Sequence, residues 1–375
     1  MRIAVNTRLL LKGKMDGIGW FTAETMSRIV AAHPEHTFYF LFDRPPAPEF
    51  LYAPNVMPVV LCPQARHPVL WHMFFEWAVP WALKHYKADL YLSPDGMMPR
   101  HPKVPTLTVI HDLNFEHATD NLIPSHQRYM TRLFPQFALS ATRIATVSEY
   151  SKQDIIDTYG IDSQKVDVVY DGANPIYRPH SDTEKTAVRQ RYSGGNPYLL
   201  FVSTILKRKN LANLLLAFDR AKDINPDGMK LIVVGKKEWW QDELSAAYDS
   251  MHHQDDVIML GHTAHDELAA LMSASEALVY PSFFEGFGIP ILEAMYAETA
   301  VISSNTTSMP EVGGDAVLYI DPTSVESILA AITEVRKPAC RERLIGQGRT
   351  QRTLYSWDRT SQLLWQSMMK TLQQT

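Results

Sequence analysis

The sequence predicts an α/β protein made of two doubly wound halves, each with a parallel sheet covered by helices on both faces. Three observations lead to this fold class. Short runs of β-branched and aromatic residues alternate with longer stretches of helical periodicity. The short runs are almost continuously apolar, as in strands buried on both faces. A stretch rich in turn-forming residues divides the 375-residue chain, which is long enough for two ordinary domains.

The first half is predicted to alternate strands with helices. Strands are expected at residues 2–7, 37–42, 56–61, 89–92, 106–111 and 143–147. Helical periodicity covers residues 20–32, 124–140 and 151–159. Residues 172–195 have turn and linker composition, and we therefore place the connection between the domains there.

The second half repeats this alternation. Strands are expected at residues 198–203, 229–234, 257–260, 277–280 and 300–303. Helices are expected at residues 210–222, 239–251, 265–273 and 290–296. Ligands of open parallel sheets bind beyond the carboxyl ends of the strands, so we expect the site in a cleft between the two halves.

Charge and composition exclude several classes of protein. A net charge of −5 argues against a nucleic-acid binder, which usually has a basic stripe. Cys62 and Cys340 are far apart, and they predict a reduced chain without a disulfide or a cysteine metal site. No signal-peptide pattern and no apolar run of about 20 residues is found, so we expect a cytoplasmic protein.

The segment with the most chemistry is PSFFEGFGIPILEAMYAETAVISSN, in which Glu285 and Glu293 are eight positions apart. A strand enters a glycine-containing turn and a helix leaves it. The backbone N–H groups of this turn suit a phosphate or sugar hydroxyls; they belong to Gly286, Phe287, Gly288 and Ile289. Glu293, one turn into the helix, could accept two hydrogen bonds from a ribose diol. The alternative is an ordinary strand–turn–helix with two surface glutamates.

This segment resembles the paired-glutamate motif of the retaining glycosyltransferases of family 4, which have the GT-B fold. Other stretches resemble the same family: MRIAVNTRLLLKGKMDGIGWF, ATVSEYSKQDII, KVDVVYDGAN and FVSTILKRKNLANLLLAF. The resemblance extends in the same order from residue 1 to about residue 358. Within this family, the chain resembles above all the bacterial mannosyltransferase-like branch that works in surface polysaccharide assembly.

The resemblance implies two Rossmann-like domains. Residues 1–178 would form the acceptor side, residues 190–356 would bind the nucleotide sugar, and a terminal helix at residues 357–375 would return to the first domain. The implied reaction is retaining transfer of a hexose, with GDP-mannose as the first candidate donor, onto a glycan or lipid-linked glycan. No cofactor is expected, since the nucleotide sugar is a substrate.

Other functions stay open at this point. A UDP-sugar donor fits the same fold, and so does a non-transferase enzyme such as a nucleotide-sugar epimerase. A phosphorylase would need a lysine that holds pyridoxal phosphate, and no lysine context resembles one. A periplasmic sugar-binding protein would need an export signal.

The resemblance also implies roles for single residues of the second domain. Glu293 would hold the donor ribose and Glu285 would contact the transferred sugar. Arg208 and Lys209 would face the pyrophosphate, because fixed cations stabilise a leaving diphosphate. Two adjacent cations at the start of a helix are otherwise unfavourable, so we expect an anion nearby. We also expect Lys209 to be exposed, so that its replacement would hardly affect folding.

Thr204 departs from the family pattern, since many relatives have an arginine at its position. Arg208, or Lys209 together with the hydroxyl of Ser203 or Thr204, would then bind the phosphate. In the first domain the loop with Gly17 and Gly19, between a strand and a helix, would approach the donor phosphate and the acceptor. His111, at the carboxyl end of a strand, would lie near the transferred sugar; a core or capping histidine is the alternative.

Metal-independent transfer is expected because the chain contains no Asp-x-Asp. Enzymes that neutralise the diphosphate with a metal commonly use that pattern. His252, His253, His262 and His265 have no partners at ligand spacing in the sequence, and we expect them to be surface residues.

One aromatic segment, HPVLWHMFFEWAVPWALKHYK at residues 67–87, has two interpretations. A buried helix of the first domain is favoured. The alternative is an interfacial surface for a lipid-linked acceptor, with aromatic rings at the level of the headgroups. Peripheral contact with the inner face of a membrane therefore stays open.

Overall fold

The computed structural model describes residues 1–117, 123–236 and 242–374. The chain divides into two compact units. The first comprises Met1–Asp171 together with Trp357–Thr375, and the second comprises Gly172–Ser356.

The first unit is built on one sheet, which has seven strands in its described residues. They are β1 (Arg2–Asn6), β2 (Thr37–Phe42), β3 (Val56–Val60), β4 (Leu90–Ser93), β5 (Thr106–Val109), β6 (Arg143–Thr146) and β7 (Val166–Val168). The order across the sheet is β3-β2-β1-β4-β5-β6-β7, with parallel pairing throughout. The order reverses beside β1, so the gap between β1 and β4 is the switch point of this sheet. The sequence did not predict β7, which is only three residues long.

Helices cover both faces of this sheet. They are α1 (Gly17–Ala32), α2 (Pro68–Met73), α3 (Val79–His85), α4 (Asn114–His117), α5 (Pro124–Ser140) and α6 (Glu149–Tyr159). A π-helical turn, Phe74–Ala78, joins α2 to α3. α1 starts earlier than predicted because the Asp16 side chain caps it, accepting a hydrogen bond from the Gly19 N–H at 2.9 Å. Gly17 and Gly19 are therefore in the first turn of the helix, and their prediction as a loop before the helix is wrong.

The second unit has its own sheet, with six strands in the described residues. They are β8 (Tyr198–Val202), β9 (Lys230–Val234), β10 (Val257–Gly261), β11 (Ala277–Tyr280), β12 (Ala300–Ser304) and β13 (Val317–Ile320). The order is β10-β9-β8-β11-β12-β13, again entirely parallel. Its switch point lies between β8 and β11. The two parallel sheets confirm the predicted α/β fold class.

Helices of the second unit follow its strands. They are α7 (Asp182–Ser193), α8 (Leu211–Ile224), α9 (Asp242–Asp249), α10 (His265–Ala274), α11 (Ile289–Tyr296), α12 (Met309–Gly313), α13 (Val325–Val335) and α14 (Pro338–Gln351). The helix predicted at residues 239–251 begins outside the described residues, and its described part is α9.

The prediction of an irregular linker through residues 172–195 is wrong for α7. Ser181 and Glu184 form a reciprocal capping box at its first turn, and Gly194, in the left-handed region with φ 62°, ends it. The polar and glycine residues that resembled a linker are thus the two caps of a helix. Its hydrophobic side is sparse, which is why helical periodicity did not reveal it.

The last helix, α15 (Trp357–Gln373), belongs to the first compact unit, although it follows the second unit in sequence. Its buried residues include Trp357, Leu364 and Met368. The Trp357 ring packs edge-on against Phe21 of α1 at 6.2 Å. No helix in the described part of the chain is both long and apolar enough to cross a bilayer.

Candidate functional site

Two loops meet beside the switch point of the second unit. One follows β8 and contains the 3₁₀ turn Lys207–Lys209, and the other follows β11 and leads into α11. The Phe283 N–H donates to the Arg208 carbonyl at 2.8 Å. The Arg208 guanidinium donates in return to the Phe284 carbonyl at 2.9 Å. Because these bonds join the loops directly, residues 76 positions apart in sequence are held at a fixed distance.

Glu285, Arg208 and Lys209 form one ion-paired cluster. Lys209 Nζ lies 2.5 Å from Glu285 Oε1, and Arg208 Nη1 lies 3.2 Å from Glu285 Oε2. Lys209 also donates to the Tyr280 hydroxyl at 3.0 Å. Lys209 and Glu285 are only 6% and 7% exposed. The anion expected beside the two cations is therefore present in the chain itself, as the Glu285 carboxylate.

The electrostatics of this cluster keep Glu285 ionised. Burial by itself raises the pKa of Glu285, but the charges of Lys209 and Arg208 outweigh burial and lower the pKa to about 2. The expectation that Lys209 is exposed is wrong. Its long side chain points inward because a buried carboxylate attracts the ammonium strongly where water is excluded.

Hydroxyl groups from a third loop hold the backbone of the 285–288 turn. The Glu285 N–H donates to Thr307 Oγ1 at 3.2 Å. Ser308 Oγ donates to the carbonyls of Glu285 and Phe287, at 2.9 and 3.0 Å. Sequence analysis missed both hydroxyls. The signal that could have found them is their position directly after β12, which pairs with β11 and so ends at the same edge of the sheet.

The turn ends at the N-terminus of α11. Gly288 is the N-cap, with φ 101°, a conformation that side chains disfavour. Pro290 is the second residue of the helix, where its missing N–H costs nothing. Gly286, Phe287 and Gly288 are buried and Ile289 is partly buried. A helix N-terminus has a partial positive charge, so this turn has the electrostatic character that suits an anion.

Glu293 is the fifth residue of α11 and has a different environment from Glu285. Burial raises its pKa to about 8, although a hydrogen bond from Tyr177 acts in the opposite direction. Glu293 therefore keeps its proton at neutral pH, while Glu285 does not. Tyr177, itself buried, was missed because it lies more than a hundred positions away in the sequence.

Thr204 lies in the same loop as Arg208 and is not a member of the ion-paired cluster. Its side chain is exposed, and it makes no side-chain hydrogen bond within the described residues. Beside it, Gly235 has φ 152°, and a Cβ there would lie 1.7 Å from the Ser203 carbonyl oxygen. Only glycine permits the ends of β8 and β9 to approach so closely.

His111 and the two N-terminal glycines lie in the first unit. His111 follows β5, and its Nε2 lies 2.9 Å from the Pro94 carbonyl. Burial lowers the pKa of His111, so we assign a neutral ring that donates from Nε2. Its ring packs edge-on against Phe21 at 4.9 Å. Gly19 is also buried in α1, where a Cβ would lie 2.9 Å from the Leu9 carbonyl oxygen, whereas Gly17 is exposed.

A buried polar cluster at the switch point of the first unit was not predicted. Arg8 Nε lies 2.7 Å from Asp95 Oδ2, and Asn6 donates to Asp95 Oδ1 at 2.9 Å. Both Arg8 and Asp95 are less than 10% exposed. The residues lie at or just after the carboxyl ends of β1 and β4, which are neighbours in the sheet and distant in sequence, so no local pattern connects them.

Two groups of side chains in the described residues have the spacing of metal ligands. They are His33 with Glu35 and His36, and Asp219 with Asp223 and His252. Next to the second group, His253 Nε2 lies 3.1 Å from Asp223 Oδ1, and Asp219 accepts from the backbone N–H groups of His252 and His253. The tertiary structure thus gives these histidines carboxylate partners that sequence spacing did not predict.

Comparison with known proteins matches each unit to a described family. The family described as "Glycosyltransferase Family 4" matches residues 15–176, and "Glycosyl transferases group 1" matches residues 182–351. O-antigen chain mannosyltransferase B of Escherichia coli is 32% identical over 280 residues, covering 74% of this chain and 73% of that protein. O-antigen chain mannosyltransferase RfbU of Salmonella typhimurium is 28% identical over 285 residues, covering 76% and 75%.

A solved structure extends the likeness to the whole fold. Anabaena HepE in complex with UDP-glucose superposes with a TM-score of 0.75, covering 99% of this chain and 100% of that one. The sequence identity is 16%, so this likeness concerns the fold alone.

Proposed function

We propose that this chain, which belongs to the group 1 and family 4 glycosyltransferases of the GT-B fold, transfers a mannosyl residue from GDP-mannose to a glycan or lipid-linked glycan, with retention of configuration. Glycosyl transfer follows from the family. The sugar is inferred from the two O-antigen mannosyltransferases, which cover about three quarters of the chain. We infer that the product is a bacterial surface polysaccharide.

The single observation that best supports a donor site in the second unit is the cluster of Arg208, Lys209 and Glu285. Two cations fixed beside a helix N-terminus are suited to a diphosphate. We assign the diphosphate to these cations, the transferred sugar to Glu285 and the ribose to Glu293. The turn at residues 286–289 would contact the donor through its backbone. The proposed site residues also include Thr204, Gly17, Gly19 and His111.

Donor binding would exchange the partners of the two cations. Both now neutralise Glu285, at 2.5 and 3.2 Å. A diphosphate bears more negative charge than one carboxylate and would draw Arg208 and Lys209 toward itself, which frees Glu285 to accept hydrogen bonds from the sugar. Negative charge grows on the leaving diphosphate as the glycosidic bond breaks. These contacts therefore strengthen in the transition state and lower the barrier.

The chemical step would proceed on one face of the sugar, without a covalent glycosyl-enzyme. The acceptor oxygen forms the new bond to the anomeric carbon as the bond to the diphosphate breaks. The acceptor proton passes to an oxygen of the departing phosphate, so that charge balances.

The proposed transfer needs no metal ion and no cofactor. The support is the absence of Asp-x-Asp and the presence of two cations where a metal would otherwise neutralise the diphosphate. Transfer should then continue in excess EDTA. Activity that is lost in EDTA and restored by magnesium or manganese would contradict this part of the proposal.

Donor identity is tested by thermal denaturation with GDP, UDP and ADP. A ligand that binds only the native state raises stability by mass action, by roughly 2.7 kcal/mol at a hundredfold excess over its Kd. GDP should stabilise the chain most. The second candidate is a UDP-sugar, favoured by HepE, which was solved with UDP-glucose; a larger effect of UDP would select it.

Transfer itself is tested with GDP-mannose. Wild-type chain should release GDP slowly in the absence of acceptor, and Arg208→Ala should lower kcat by roughly 10²–10³-fold, the scale for one lost charge-stabilising donor. Glu293→Ala should weaken GDP binding by roughly 1–3 kcal/mol, the loss of two hydrogen bonds between the neutral carboxyl and the ribose. Unchanged kinetics in Arg208→Ala would refute the diphosphate assignment.

We place this activity in the cytoplasm, at the inner face of a membrane. A lipid-linked acceptor has its lipid in the bilayer, and so the enzyme that extends it would work at the bilayer surface.

A further inference from the structure

An exposed aromatic surface lies on the segment from α2 through the π-helical turn to α3. Val69, Trp77 and Trp81 are 62%, 64% and 56% exposed. The other side of the segment is in the core, where Phe74, Phe75 and Val79 are completely buried. The buried helix favoured by the sequence is therefore buried on one side only. We call the exposed side, formed by Val69, Trp77, Trp81, Lys84 and His85, the tryptophan face.

The two tryptophans are unusual within the described part of the chain. No other described tryptophan is among the exposed large hydrophobic residues. Trp77 and Trp81 are four positions apart, so they project from neighbouring turns. Trp81 stacks on His85, with ring centroids 4.9 Å apart and planes at 11°. Large apolar side chains exposed as a group on a soluble protein usually mark a contact surface.

Basic residues predominate in the segments that carry the tryptophan face and pack against it. Residues 64–87 and 124–140 together contain five Lys or Arg residues and one acidic residue, in a chain whose net charge is −5. The acidic residue, Glu76, is already paired with Arg100 at 3.0 Å. Arg66, Lys84 and Lys87 are exposed, and the described residues give them no carboxylate partner. The local charge is therefore opposite to that of the whole molecule.

Helix α5 adds to the same basic region. The Trp71 ring lies 4.7 Å from His126 and 5.3 Å from Tyr129, so α2 and α5 pack together. α5 has two exposed arginines, Arg128 and Arg132, and no acidic residue.

We propose that the tryptophan face docks on the anionic surface of a lipid bilayer. Tryptophan rings partition to the boundary between headgroups and acyl chains, and nearby lysines and arginines attract anionic lipids. A symmetric contact between two copies of this chain would bring Lys84 and its neighbours against the same cations of the other copy, which opposes that alternative. The inference deepens the membrane part of the proposed function by naming the surface and the lipid charge.

Binding should be reversible and sensitive to salt. One short helical face with two tryptophans inserts shallowly and gives a peripheral attachment. Each cation near an anionic bilayer contributes about fivefold in affinity at low salt. Added salt screens this contribution.

The test is co-sedimentation of the full chain with vesicles of phosphatidylcholine alone and of phosphatidylcholine with phosphatidylglycerol. Wild-type chain should pellet with the anionic vesicles only. Trp77→Ser/Trp81→Ser should abolish pelleting, and Lys84→Ala should weaken it about fivefold. The matched control Ile224→Ser/Leu354→Ser removes two exposed apolar residues of the second unit, 69% and 47% exposed, and should bind as wild type does.

Three results would overturn the inference. They are wild-type chain that stays in the supernatant, a double tryptophan variant that binds vesicles normally, and a dimer in light scattering that the double tryptophan variant dissociates. The last result would assign the face to a second copy of the chain.

Failure of this inference is distinguishable from failure of the proposed function. The double tryptophan variant should keep the wild-type thermal response to GDP and the slow release of GDP from GDP-mannose. Vesicle binding without any nucleotide response would refute the transferase proposal and leave the docking surface intact. A thermal response to nucleotide without vesicle binding would refute the docking surface and leave the transferase proposal intact.

Discussion

At the scale of single residues, the pair formed by Lys209 and Glu285 links the charge of the candidate site to the stability of the second unit. Both side chains are buried, and the pair distance is 2.5 Å. Taking two charges out of water is costly, and their attraction offsets the cost only while both are present. Glu285 has its pKa lowered to about 2. The stability that this pair contributes is therefore present above pH about 4.5, the ordinary pKa, and is lost as the pH falls toward 2.

Lys209→Ala should destabilise the chain by roughly 3–5 kcal/mol, because it leaves Glu285 as a buried charge with only Arg208 beside it. Adding Glu285→Gln to that variant should recover part of the loss. Lys207→Ala is the matched control, since its side chain is 58% exposed and it should change stability by less than about 0.5 kcal/mol. The measurement is urea denaturation of the three variants. A Lys209→Ala chain as stable as the control would show that the pair has no such role.

Glu293 gives the opposite dependence on pH. The folded chain keeps its proton up to about pH 8, whereas the unfolded chain loses it near the ordinary pKa of 4.5. Between these values the folded state binds more protons, so stability falls as the pH rises. Glu293→Gln should therefore gain stability relative to wild type, by roughly 1–3 kcal/mol, between about pH 5 and about pH 8. Denaturation curves of both chains at the two pH values measure it, and parallel behaviour would refute the raised pKa.

At the scale of secondary-structure elements, close backbone contacts fix the loops at the carboxyl ends of the strands. Gly235 follows β9, and its N–H donates to the Gly261 carbonyl at 2.8 Å. On its other side the Ser203 carbonyl, at the end of β8, occupies the place of a Cβ. The loop with Thr204 and Arg208 starts there, so the position of the candidate cations depends on this glycine.

Gly235→Ala should destabilise the second unit by roughly 2–5 kcal/mol, because left-handed strain adds to an overlap with rigid backbone. Gly261→Ala is the control. It also has positive φ, 71°, but nothing lies within 4 Å of its Cβ position, so it should lose only about 1–2 kcal/mol. Thermal denaturation of both variants makes the comparison. Equal losses would mean that the close approach to Ser203 is relaxed at little cost.

At the scale of the whole molecule, the first unit is built from two stretches that are separated in sequence by the whole second unit. The first unit is completed by α15, the last helix of the chain. Arg28 of α1 pairs with Asp358 at 2.7 Å, and Ser367 and Lys370 donate to Asp167 at 2.7 and 3.0 Å. The first unit therefore cannot be complete until the end of the chain is available.

Leu364→Ala should destabilise the first unit by roughly 2–5 kcal/mol, since Leu364 is fully buried and the variant leaves a cavity. Hydrogen exchange should show lower protection of amides in β4, β5 and β6 and little change in β8 and β11. Gln366→Ala, an exposed position of the same helix, should alter neither set. Equal loss of protection in both units would show that α15 does not act on the first unit alone.

Sequence by itself determined the fold class and most of the elements. Each predicted strand is present, because continuous apolar runs of four to six residues are diagnostic of strands buried on both faces. Turn chemistry and the glutamate spacing located the loop that leads into α11 and the two carboxylates of the candidate site. The resemblance to family 4 glycosyltransferases was confirmed by the two matched families. α7 was not predicted, because its capping residues also have the composition of a linker. The unpredicted elements also include β7, β13, α12, α13 and α14.

Only the tertiary structure decided which charged side chains of the candidate site are buried and which carboxyl groups are ionised. Lys209 looked exposed in sequence, and it is buried because Glu285, 76 positions later, lies 2.5 Å away. Two glutamates eight positions apart differ in protonation because Glu285 is paired with two cations, whereas burial raises the pKa of Glu293 and no cation of the described residues offsets it. Desolvation and charge pairing depend on distances across the fold, and no local pattern of residues encodes those distances. For the same reason, the sequence could not predict that one side of the tryptophan-rich segment is buried and the other exposed.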